Sequence, residues 1–447
     1  MTSPKVLILK QPFNNNTGGG ITLSNLFDNW DREQLAVACS GYLLTEDMDP
    51  KLCNNYYQLG SKERKWMFPF NLFSRKYYSG AIKINDKTST KDKVVIKKSK
   101  LRVKLIMEYV RPIFEQIGFS YFQAKTGLSP EFCKWLDDFN PDILYIQADT
   151  REDVLFGIEV CDYVKRPMVF HMMDDWPTLI GVKGILKNFW KSKIDKEFRL
   201  LLDRADLLMG ISDYMCEEYK KRYGKKFITF HNPIKLEFWE KEQRGNYELP
   251  KNPTVLYAGR LGLGIDKSLK SIAEAVKKVN KELQTNIKFV VQALDAPDWI
   301  KNDQNIEHRQ FVKYEELPRV FSEADLLILP YDFSLESMSF IKYSMPTKAP
   351  EYMASGTPII IFAPQDTALV QYAEKYNWAA VITNNNIDEL AEKLKQLFLD
   401  KSLREKIAKT AKTIAETRHD SDLVAREFQQ MILNMRERNN YKNTVTS

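Results

Sequence analysis

The sequence predicts an α/β protein built from two Rossmann-like, doubly wound domains that face a central cleft. Two observations support this prediction. Short runs of β-branched and aliphatic residues alternate with longer amphipathic stretches, which is the pattern of parallel strands buried on both faces with helices between them. The runs also fall into two groups, and the polar stretch between them, residues 237–253, has the charges, glycine and prolines typical of an interdomain linker.

The grouping of the runs predicts the domain boundaries. We expect one domain over residues 1–236, a second over residues 252–420, and a C-terminal helix and tail over residues 421–447. The runs of the first group are Val6–Leu9, Ile143–Ile146, Met168–Phe170 and Leu207–Met209, and those of the second are Thr254–Tyr257, Ile287–Val291, Leu326–Leu329 and Pro358–Phe362.

Composition excludes several classes of protein. The chain has 447 residues, of which 44% are hydrophobic and 28% charged, as in ordinary globular proteins. No apolar run approaches the roughly 18 residues of a membrane span, and the N-terminus lacks the regions of a signal peptide. The five scattered cysteines lack metal-binding spacing, so we expect reduced thiols in the cytoplasm. A net charge of +7 favours anionic partners such as phosphates or a lipid surface, and no nucleic-acid partner is expected.

A run of three glycines, Gly18-Gly19-Gly20, follows the first predicted strand and leads into a helix. Ligands of parallel α/β sheets bind beyond the carboxyl ends of strands. The backbone N–H groups of Gly19 and Gly20 can approach a phosphate or a sugar hydroxyl there, because no Cβ intervenes. A flexible strand-to-helix turn explains the glycines equally well, and the pattern is not the GxGxxG fingerprint of dinucleotide-binding proteins.

His171 follows the predicted strand Met168–Phe170 and precedes two acids, Asp174 and Asp175. A histidine at a strand exit can hydrogen-bond a sugar hydroxyl or transfer a proton. The alternative is a histidine satisfied within its loop, with the acids capping a helix. No second histidine lies at helical spacing, so we predict no metal site.

A cationic loop follows the first strand of the second group. Gly259 and Arg260 come directly after it, and Lys267 follows seven residues later. Arginine offers a planar fork for phosphate oxygens and lysine a point charge. The pattern favours phosphate binding over two solvated surface cations.

Residues 344–358 are predicted to form a loop, a short helix that opens near Thr347, and a Gly-Thr-Pro turn into a strand. The free N–H groups at Thr347 and Lys348 can hold an anion. Glu351 lies within the helix, and its carboxylate can accept hydrogen bonds from the two vicinal hydroxyls of a ribose. The alternative for Glu351 is a solvated acid on a helix surface.

Together these motifs resemble the retaining glycosyltransferases of family 4, also described as glycosyl transferases group 1, which have the two-domain GT-B fold. Gly259-Arg260 with Lys267 resembles the element that holds the diphosphate of the donor, and residues 346–358 resemble the nucleotide-binding helix and turn. The resemblance covers nearly the whole chain and is strongest over residues 254–362.

The resemblance implies a metal-independent hexosyltransferase. It implies transfer of a sugar, with retained anomeric configuration, from a UDP- or GDP-linked donor to a saccharide or lipid-linked acceptor, in cell-surface polysaccharide or glycan biosynthesis. No cofactor besides this donor substrate is expected. The first domain would serve the acceptor and the second the nucleotide sugar. Arg260 and Lys267 would stabilise the departing diphosphate, and His171 would position the donor sugar.

One position departs from the family pattern. The family often carries a pair of glutamates at fixed spacing; Glu351 matches the second, and Tyr343 stands at the first. Residues 344–348 resemble a Ser-x-Pro-x-Lys version of this loop found in some branches, and Glu336 is an upstream candidate for the missing acid. The alternatives are therefore a nucleotide-sugar epimerase and a non-catalytic nucleotide-sugar-binding GT-B protein.

Two basic stretches, Lys62–Gly80 and Lys91–Arg111, mix cations with aromatic and aliphatic residues. Such mixtures suit a membrane interface with anionic lipids. A solvated helix face with its apolar side in the core is the equal alternative. We therefore expect a cytoplasmic protein that associates peripherally with the inner face of the membrane.

Overall fold

The computed structural model describes residues 3–14, 17–44, 48–68, 71, 74, 76–83, 114–180, 184–262 and 264–445, the last ten of these as backbone. The chain forms two compact units. Unit 1 comprises residues 1–210, 219–229 and 425–447, and unit 2 comprises residues 211–218 and 230–424.

Unit 1 is built on an eight-stranded sheet with the order β10-β9-β8-β7-β1-β2-β3-β5. Its strands are parallel except for β5, which pairs antiparallel with β3. The central strand β1 is buried on both faces, as its continuous apolar run predicts. The strands are β1 (Val6–Leu9), β2 (Leu35–Ser40), β3 (Asn55–Leu59), β5 (Gly80–Lys83), β7 (Ile143–Ile146), β8 (Met168–Met172), β9 (Leu207–Gly210) and β10 (Ile228–Thr229), with β4 (Arg64–Trp66) and β6 (Ala124–Thr126) forming a separate antiparallel pair.

The helices of unit 1 begin at the polar caps that the sequence supplies. The Ser129 hydroxyl accepts the N–H of Phe132 at 3.1 Å, and Thr150 caps the next helix by accepting the N–H of Asp153 at 3.2 Å. Each cap satisfies an N–H group that has no partner within the first helical turn. The helices are α1 (Gly18–Leu26), α2 (Pro130–Phe139), α3 (Arg151–Val164) and α4 (Lys187–Arg204). The next helix, α5 (Asp213–Tyr223), contributes residues to both units.

Unit 2 is built on a six-stranded, wholly parallel sheet with the order β13-β12-β11-β14-β15-β16. The predicted strand runs of this half all form strands, and their apolar side chains are buried. The strands are β11 (Thr254–Ala258), β12 (Lys288–Gln292), β13 (Ile306–Arg309), β14 (Leu326–Pro330), β15 (Ile359–Phe362) and β16 (Ala380–Ile382).

The helices of unit 2 complete the alternation of strand and helix. The apolar faces of two of them, around Val276 and Leu394, belong to one hydrophobic core with the sheet. The helices are α6 (Leu236–Glu240), α7 (Asp266–Leu283), α8 (Asp298–Lys301), α9 (Leu317–Glu323), α10 (Leu335–Ile341), α11 (Lys348–Ala354), α12 (Ala368–Tyr376), α13 (Ile387–Leu399) and α14 (Lys401–Arg418).

The polar stretch 237–253 is part of unit 2 and not a free linker, so its interpretation as an interdomain linker is wrong. Trp239 is fully buried. The Arg244 guanidinium donates to the Asp325 carboxylate and to the Ala324 carbonyl, each at 2.7 Å. The stretch is polar because it carries these specific hydrogen bonds, which composition alone does not distinguish from solvation.

The last helix, α15 (Ser421–Val445), returns the chain to unit 1 from residue 425 onward. The ring of Phe428 lies 5.0 Å from that of Phe27 and 6.0 Å from that of Tyr145. The predicted fold class, with two α/β sheets that are parallel except for β5, is confirmed. The predicted boundaries of the functional domains stay a prediction.

Candidate functional site

Hydrogen bonds hold the described residues of the loop between β11 and α7, which are residues 259–262, 264 and 265. The Gly262 N–H donates to the Asp266 carboxylate at 2.7 Å. The Asp332 N–H donates to the Gly264 carbonyl, and the Asp332 carboxylate accepts the N–H of Ser268, each at 2.8 Å. Gly262 and Gly264 have φ values of 123° and 90°, where a side chain would be strained. The chain's own hydrogen bonds therefore fix Gly262 and Gly264 at the two described sides of this turn.

Arg260 and Lys267 lie at the two ends of this loop, and both are exposed. Lys267 is in the first turn of α7, directly after its first residue, Asp266. Neither cation forms an ion pair with another described residue. Both charges are thus available to an anion from solution.

A third cation, the side chain of Lys348, lies at the end of β11. Its ammonium donates to the Ala258 carbonyl at 2.6 Å and lies 4.7 Å from the centre of the Tyr257 ring. One turn later in α11, the Tyr352 hydroxyl accepts the N–H of Ala258 at 3.0 Å. These contacts fasten α11 to the end of β11 through both the N–H and the carbonyl of Ala258.

Gly259 is the residue that makes room for this cation. A Cβ at position 259 would lie 1.8 Å from Lys348 Nζ, which no side-chain carbon can do. Next to it, the Tyr257 hydroxyl donates to the Arg260 carbonyl at 2.5 Å and fixes the direction of the chain. Gly259 therefore leaves room for the Lys348 ammonium, and the next residue, Arg260, exposes a second cation.

Burial disfavours the charged forms of both Lys348 and Glu351. Burial lowers the pKa of Lys348 to about 8; Glu351 raises it in part and Arg260 lowers it further. Burial raises the pKa of Glu351 to about 7, against the effect of Lys348. An anion bound near Arg260 and Lys348 would supply the counter-charge that these cations lack. The structure thus brings Arg260, Lys348 and Glu351 into one electrostatic cluster.

Thr347 directly precedes α11 and has helical dihedral angles, φ −57° and ψ −30°, with no hydrogen bond from its side chain to the helix. The helix itself spans only seven residues. Anion binding by the N–H groups at Thr347 and Lys348 stays a prediction. Besides this predicted role of its backbone N–H, the structure shows that Lys348 places its ammonium group at the end of β11.

Tyr343, at the position of the absent first glutamate, is a packing residue. It is buried, its ring stacks on that of Tyr214 at 5.3 Å, and its carbonyl accepts the Ser212 hydroxyl at 3.0 Å. Glu336 lies exposed in α10. The cluster described above therefore has Glu351 as its carboxylate.

His171 lies inside β8, which continues to Met172, and not just after it as predicted. It is fully buried, with Nδ1 2.7 Å from the Tyr145 hydroxyl, and that hydroxyl accepts the Gln147 amide at 3.2 Å. The tyrosine proton is then directed at Nδ1, which leaves the ring hydrogen on Nε2. Nε2 has no hydrogen-bond partner among the described residues. Burial lowers the pKa of His171 to about 3, so it is a neutral donor at pH 7 and unsuited to proton transfer.

The three glycines form the first turn of α1. The Gly20 N–H donates to the Thr17 hydroxyl at 3.2 Å, and Thr17 in turn donates to the Asn14 side chain at 2.8 Å. A Cβ on Gly20 would lie 2.3 Å from that side chain. Packing therefore accounts for Gly20, whose N–H already has a partner. Ligand binding by Gly19 and Gly20 stays a prediction.

The basic stretches are only partly described. Lys91–Arg111 lies outside the described residues, and of Lys62–Gly80 the structure shows exposed Phe68, Tyr77 and Tyr78. Membrane association stays a prediction. Within the described ranges, no helix is long and apolar enough to cross a membrane, and no group of three or more acidic, histidine or cysteine side chains could hold a metal ion.

Sequence analysis did not single out Tyr257, Tyr352 or Asp332. Asp332 follows β14 closely, so its position at a strand exit was a usable signal. Tyr257 lies within a strand and Tyr352 within a helix, where an aromatic residue is read as core. Only the approach of α11 to β11 reveals their contacts.

Comparison with known proteins gives a family match over part of the chain and a shared fold over nearly all of it. Residues 240–414 match the model of a family described as Glycosyl transferases group 1. This span includes β11 to β16 and the cluster of Arg260, Lys348 and Glu351. No curated protein sequence matches the chain significantly.

Solved structures share the fold over nearly the whole chain. Sucrose-phosphate synthase from Thermosynechococcus elongatus aligns with a TM-score of 0.58 and 12% identity, over 96% of this chain and 98% of that one. Anabaena Alr3699/HepE, solved in complex with UDP, aligns with a TM-score of 0.57 and 13% identity, over 96% and 100%. WaaG, a glycosyltransferase involved in lipopolysaccharide biosynthesis, aligns with a TM-score of 0.55 and 14% identity, over 95% and 98%. At these identities the likeness shows the fold, which is GT-B.

Proposed function

We propose that this chain, which carries a glycosyl transferases group 1 domain over residues 240–414 of a GT-B fold, transfers a sugar from a nucleotide diphosphate donor to a saccharide or lipid-linked acceptor. The observation that carries the proposal is the cluster of Arg260, Lys348 and Glu351 at the carboxyl end of β11. Ligands of parallel α/β sheets bind at such strand ends. The cluster offers cations for a diphosphate and an acceptor group for a ribose.

The cations act on the leaving group. As the bond between the anomeric carbon and the phosphate oxygen breaks, negative charge builds on the diphosphate, and Arg260, Lys267 and Lys348 stabilise it. Each well-placed donor of this kind is worth about 3 kcal/mol in the transition state. Fixed cations fill the role that a metal ion has in other sugar transferases, so we propose a metal-independent reaction that needs no cofactor besides the donor.

The stereochemistry is proposed to be retaining. The acceptor oxygen attacks from the face that the diphosphate leaves, and its proton passes to the departing phosphate oxygen. One carbon–oxygen bond is broken and one is formed, and the proton moves from the acceptor to the phosphate. No covalent enzyme intermediate is needed.

Glu351 is proposed to bind the ribose. A carboxylate is acceptor-only and can receive both vicinal hydroxyls. The ribose is remote from the bond that breaks, so this contact contributes equally to the ground state and the transition state. UDP is the nucleotide we would test first, because Anabaena HepE, which shares the fold, was solved with UDP; GDP is the alternative.

The remaining assignments concern unit 1. Nε2 of His171 has no hydrogen-bond partner among the described residues. This supports its proposed role, which is to position the sugar of the nucleotide-linked substrate by donating a hydrogen bond. Gly19 and Gly20 are proposed to lie close to the phosphates or the sugar. Acceptor binding and a peripheral association with anionic membrane, through Lys62–Gly80, are proposed for unit 1 as part of polysaccharide or glycan synthesis in the cytoplasm.

The proposal is tested by incubating the full chain with UDP- and GDP-linked hexoses and following the sugar by ¹H NMR. We expect slow release of free sugar that retains its anomeric configuration, and a large loss of this turnover in Arg260→Ala. Arg319→Ala is the matched control, because Arg319 is an exposed arginine of unit 2 outside the cluster. A donor converted to a different nucleotide sugar would identify an epimerase. Donors that bind but stay intact would identify a non-catalytic binding protein.

A further inference from the structure

A cavity lies wholly within unit 1, at the carboxyl ends of its central strands. It is lined by Leu9 and Lys10 at the end of β1 and by Ile146 and Gln147 at the end of β7. β1 pairs with β2 on one edge and with β7 on the other, so the order of the strands reverses direction between β1 and β7. Ligands of open α/β sheets bind beyond the strand ends at such a reversal. We refer to this space as the β1–β7 cavity.

The charged side chains that line the β1–β7 cavity form two ion pairs. The Arg64 guanidinium donates to both oxygens of the Glu152 carboxylate, each at 2.9 Å. The Lys10 ammonium donates to the Asp153 carboxylate at 2.5 Å and also pairs at 2.8 Å with Asp149, which is not part of the lining. Each cation of the lining is therefore already matched by a carboxylate, and the cavity offers little attraction to an anion.

Neighbouring groups hold these ion pairs in place. The Thr126 hydroxyl donates to Glu152 at 2.5 Å, and the Thr150 hydroxyl donates to Asp153 at 2.7 Å. Lys10 has a φ of 81°, in the left-handed region that a lysine rarely adopts, and such strain is concentrated at ligand-binding sites. Burial opposes the charge of Lys10, but its two carboxylate partners raise its pKa above the ordinary value, so the pair is ionised at pH 7.

The rest of the lining suits a ring that carries both hydroxyl groups and C–H faces. Ser40 and Gln147 contribute neutral hydrogen-bonding groups, and Leu43 and Phe156 contribute apolar surface. Tyr42, which is 73% exposed, adds an aromatic ring that is open to solvent. An aromatic face packs against the C–H groups of a sugar, while a few placed polar groups fix its orientation. The lining therefore matches an uncharged sugar, and not a phosphate or an acyl chain.

We propose that the β1–β7 cavity binds an uncharged sugar residue and that the Arg64–Glu152 and Lys10–Asp153 pairs discriminate against anionic sugars. The carboxylates accept hydrogen bonds from sugar hydroxyls through the lone pairs that the cations leave unused. A carboxylate or phosphate on the sugar would instead lie beside two acids whose cations are already occupied. The inference rests on the proposed function in one respect, since the transfer reaction makes this sugar the end of the acceptor. The glycan that the chain extends then ends in a neutral sugar.

The test is saturation-transfer difference NMR on the full chain in the absence of nucleotide. The probes are the methyl glycosides of glucose, galactose and mannose, each compared with the methyl glycoside of its uronic acid, in which a carboxylate replaces the CH₂OH group. We expect at least one neutral glycoside to bind at least tenfold more tightly than its uronic acid. Uronic acids that bind as tightly as the neutral glycosides, or no binding of any probe, would overturn the proposal.

Glu152→Gln tests the origin of the selectivity. It removes a negative charge from the lining and leaves the Arg64 guanidinium without its carboxylate, so the ratio of neutral to anionic affinity should fall at least tenfold. The matched control is Asp162→Asn, because Asp162 lies on the same helix, α3, and pairs with Arg204 outside the cavity. Its ratio should equal that of wild type. An unchanged ratio in Glu152→Gln, or an equal fall in the control, would contradict the role of this ion pair.

Tyr42→Ala tests the place of the sugar. It should weaken binding of the neutral glycoside at least fivefold, whereas Tyr163→Ala, which removes an exposed tyrosine of α3 outside the lining, should not. Because Tyr42 is exposed, this test holds even if circular dichroism shows that Glu152→Gln does not fold. A folded Tyr42→Ala that binds like wild type would overturn the assignment of the sugar to this cavity.

The outcomes separate this inference from the proposed function. Arg260→Ala should lose turnover of the nucleotide sugar but keep its binding of the neutral glycoside, because Arg260 belongs to unit 2. Selective glycoside binding without any turnover in wild type would leave the cavity assignment standing and refute the transfer reaction. Turnover without selective glycoside binding would refute the cavity assignment and leave the proposed function standing.

Discussion

Replacing Gly259 with alanine should disable Lys348 without changing the lysine itself. The added Cβ would lie 1.8 Å from Lys348 Nζ and 2.9 Å from the Tyr257 hydroxyl. Because Nζ is the free end of a flexible side chain, the lysine yields and the backbone stays. It loses its hydrogen bond to the Ala258 carbonyl and its place over the Tyr257 ring.

The expected effects on stability and on catalysis differ in size. A hydrogen bond to a charged group is worth about 1.5–3 kcal/mol, but a displaced ammonium at this half-buried position regains water. Gly259 does not have a positive φ, so alanine also reduces the entropy of the unfolded chain, worth about 0.4–1 kcal/mol. The free energy of unfolding should therefore change by no more than about 1 kcal/mol. Loss of one positioned cation from the leaving diphosphate should lower kcat by roughly 10²-fold.

The assay is single-turnover consumption of the nucleotide sugar beside thermal unfolding. Gly245→Ala is the matched control, because nothing lies within 4 Å of a Cβ at that position. Lys348→Met should be as slow as Gly259→Ala, and the double variant should be no slower than either, since both remove the same contact. A fully active Gly259→Ala, or a double variant whose losses add, would refute the argument.

Three further predictions concern the other residues of the account. Arg260→Ala and Lys267→Ala should each lower kcat about 10²-fold with unchanged thermal stability, and their combination should be less than additive because they share one anion; wild-type rates in folded variants would contradict this. Glu351→Gln should raise KM for the donor more than it lowers kcat; an unchanged KM with a collapsed kcat would instead indicate a catalytic acid. Burial raises the pKa of Glu351 from 4.5 in the unfolded chain to about 7, so the folded protein is destabilised when this carboxyl is charged. The variant should therefore increase the free energy of unfolding of the ligand-free protein by about 1–2 kcal/mol at pH 8 and by less at pH 5. Burial lowers the pKa of His171 and His231 to about 3 and of His419 to about 4. The free energy of unfolding should therefore be constant above pH 6.5 and fall toward pH 4 by about 1.4 kcal/mol per pH unit for each histidine, which urea unfolding at pH 7.5 and 5 measures. His171→Gln should reduce this pH dependence by the contribution of one histidine, and an unchanged pH dependence would contradict the prediction.

The fold class was predictable because burial on both faces requires continuous apolar runs, and runs such as Val6–Leu9 are unambiguous. The return of α15 to unit 1 was not predictable from the sequence. An amphipathic pattern shows that Phe428 will be buried, but not that it will meet Phe27 and Tyr145. The partner of a helix face is a tertiary property.

The site was predictable where a residue type is tied to a strand end. Gly259 and Arg260 were singled out in this way, directly after a strand, whereas Glu351 was singled out within the short helix that opens near Thr347; their binding roles stay predictions. The ammonium of Lys348 was missed, since its contact with Ala258 depends on how α11 approaches β11. His171 was placed one residue outside its strand because a polar residue conventionally ends an apolar run, whereas here Tyr145 satisfies one of its nitrogens within the sheet.

The most direct test of the central claim compares the affinities of uridine and UDP, and of guanosine and GDP, by titration calorimetry. If Arg260, Lys267 and Lys348 hold the diphosphate, one nucleoside diphosphate should bind wild type at least 10²-fold more tightly than its nucleoside, since each charge-assisted hydrogen bond is worth about 1.5–3 kcal/mol. The triple variant Arg260→Ala/Lys267→Ala/Lys348→Met should bind diphosphate and nucleoside alike while remaining folded. Equal affinities in wild type, or a preference for the diphosphate that survives in the triple variant, would contradict the account.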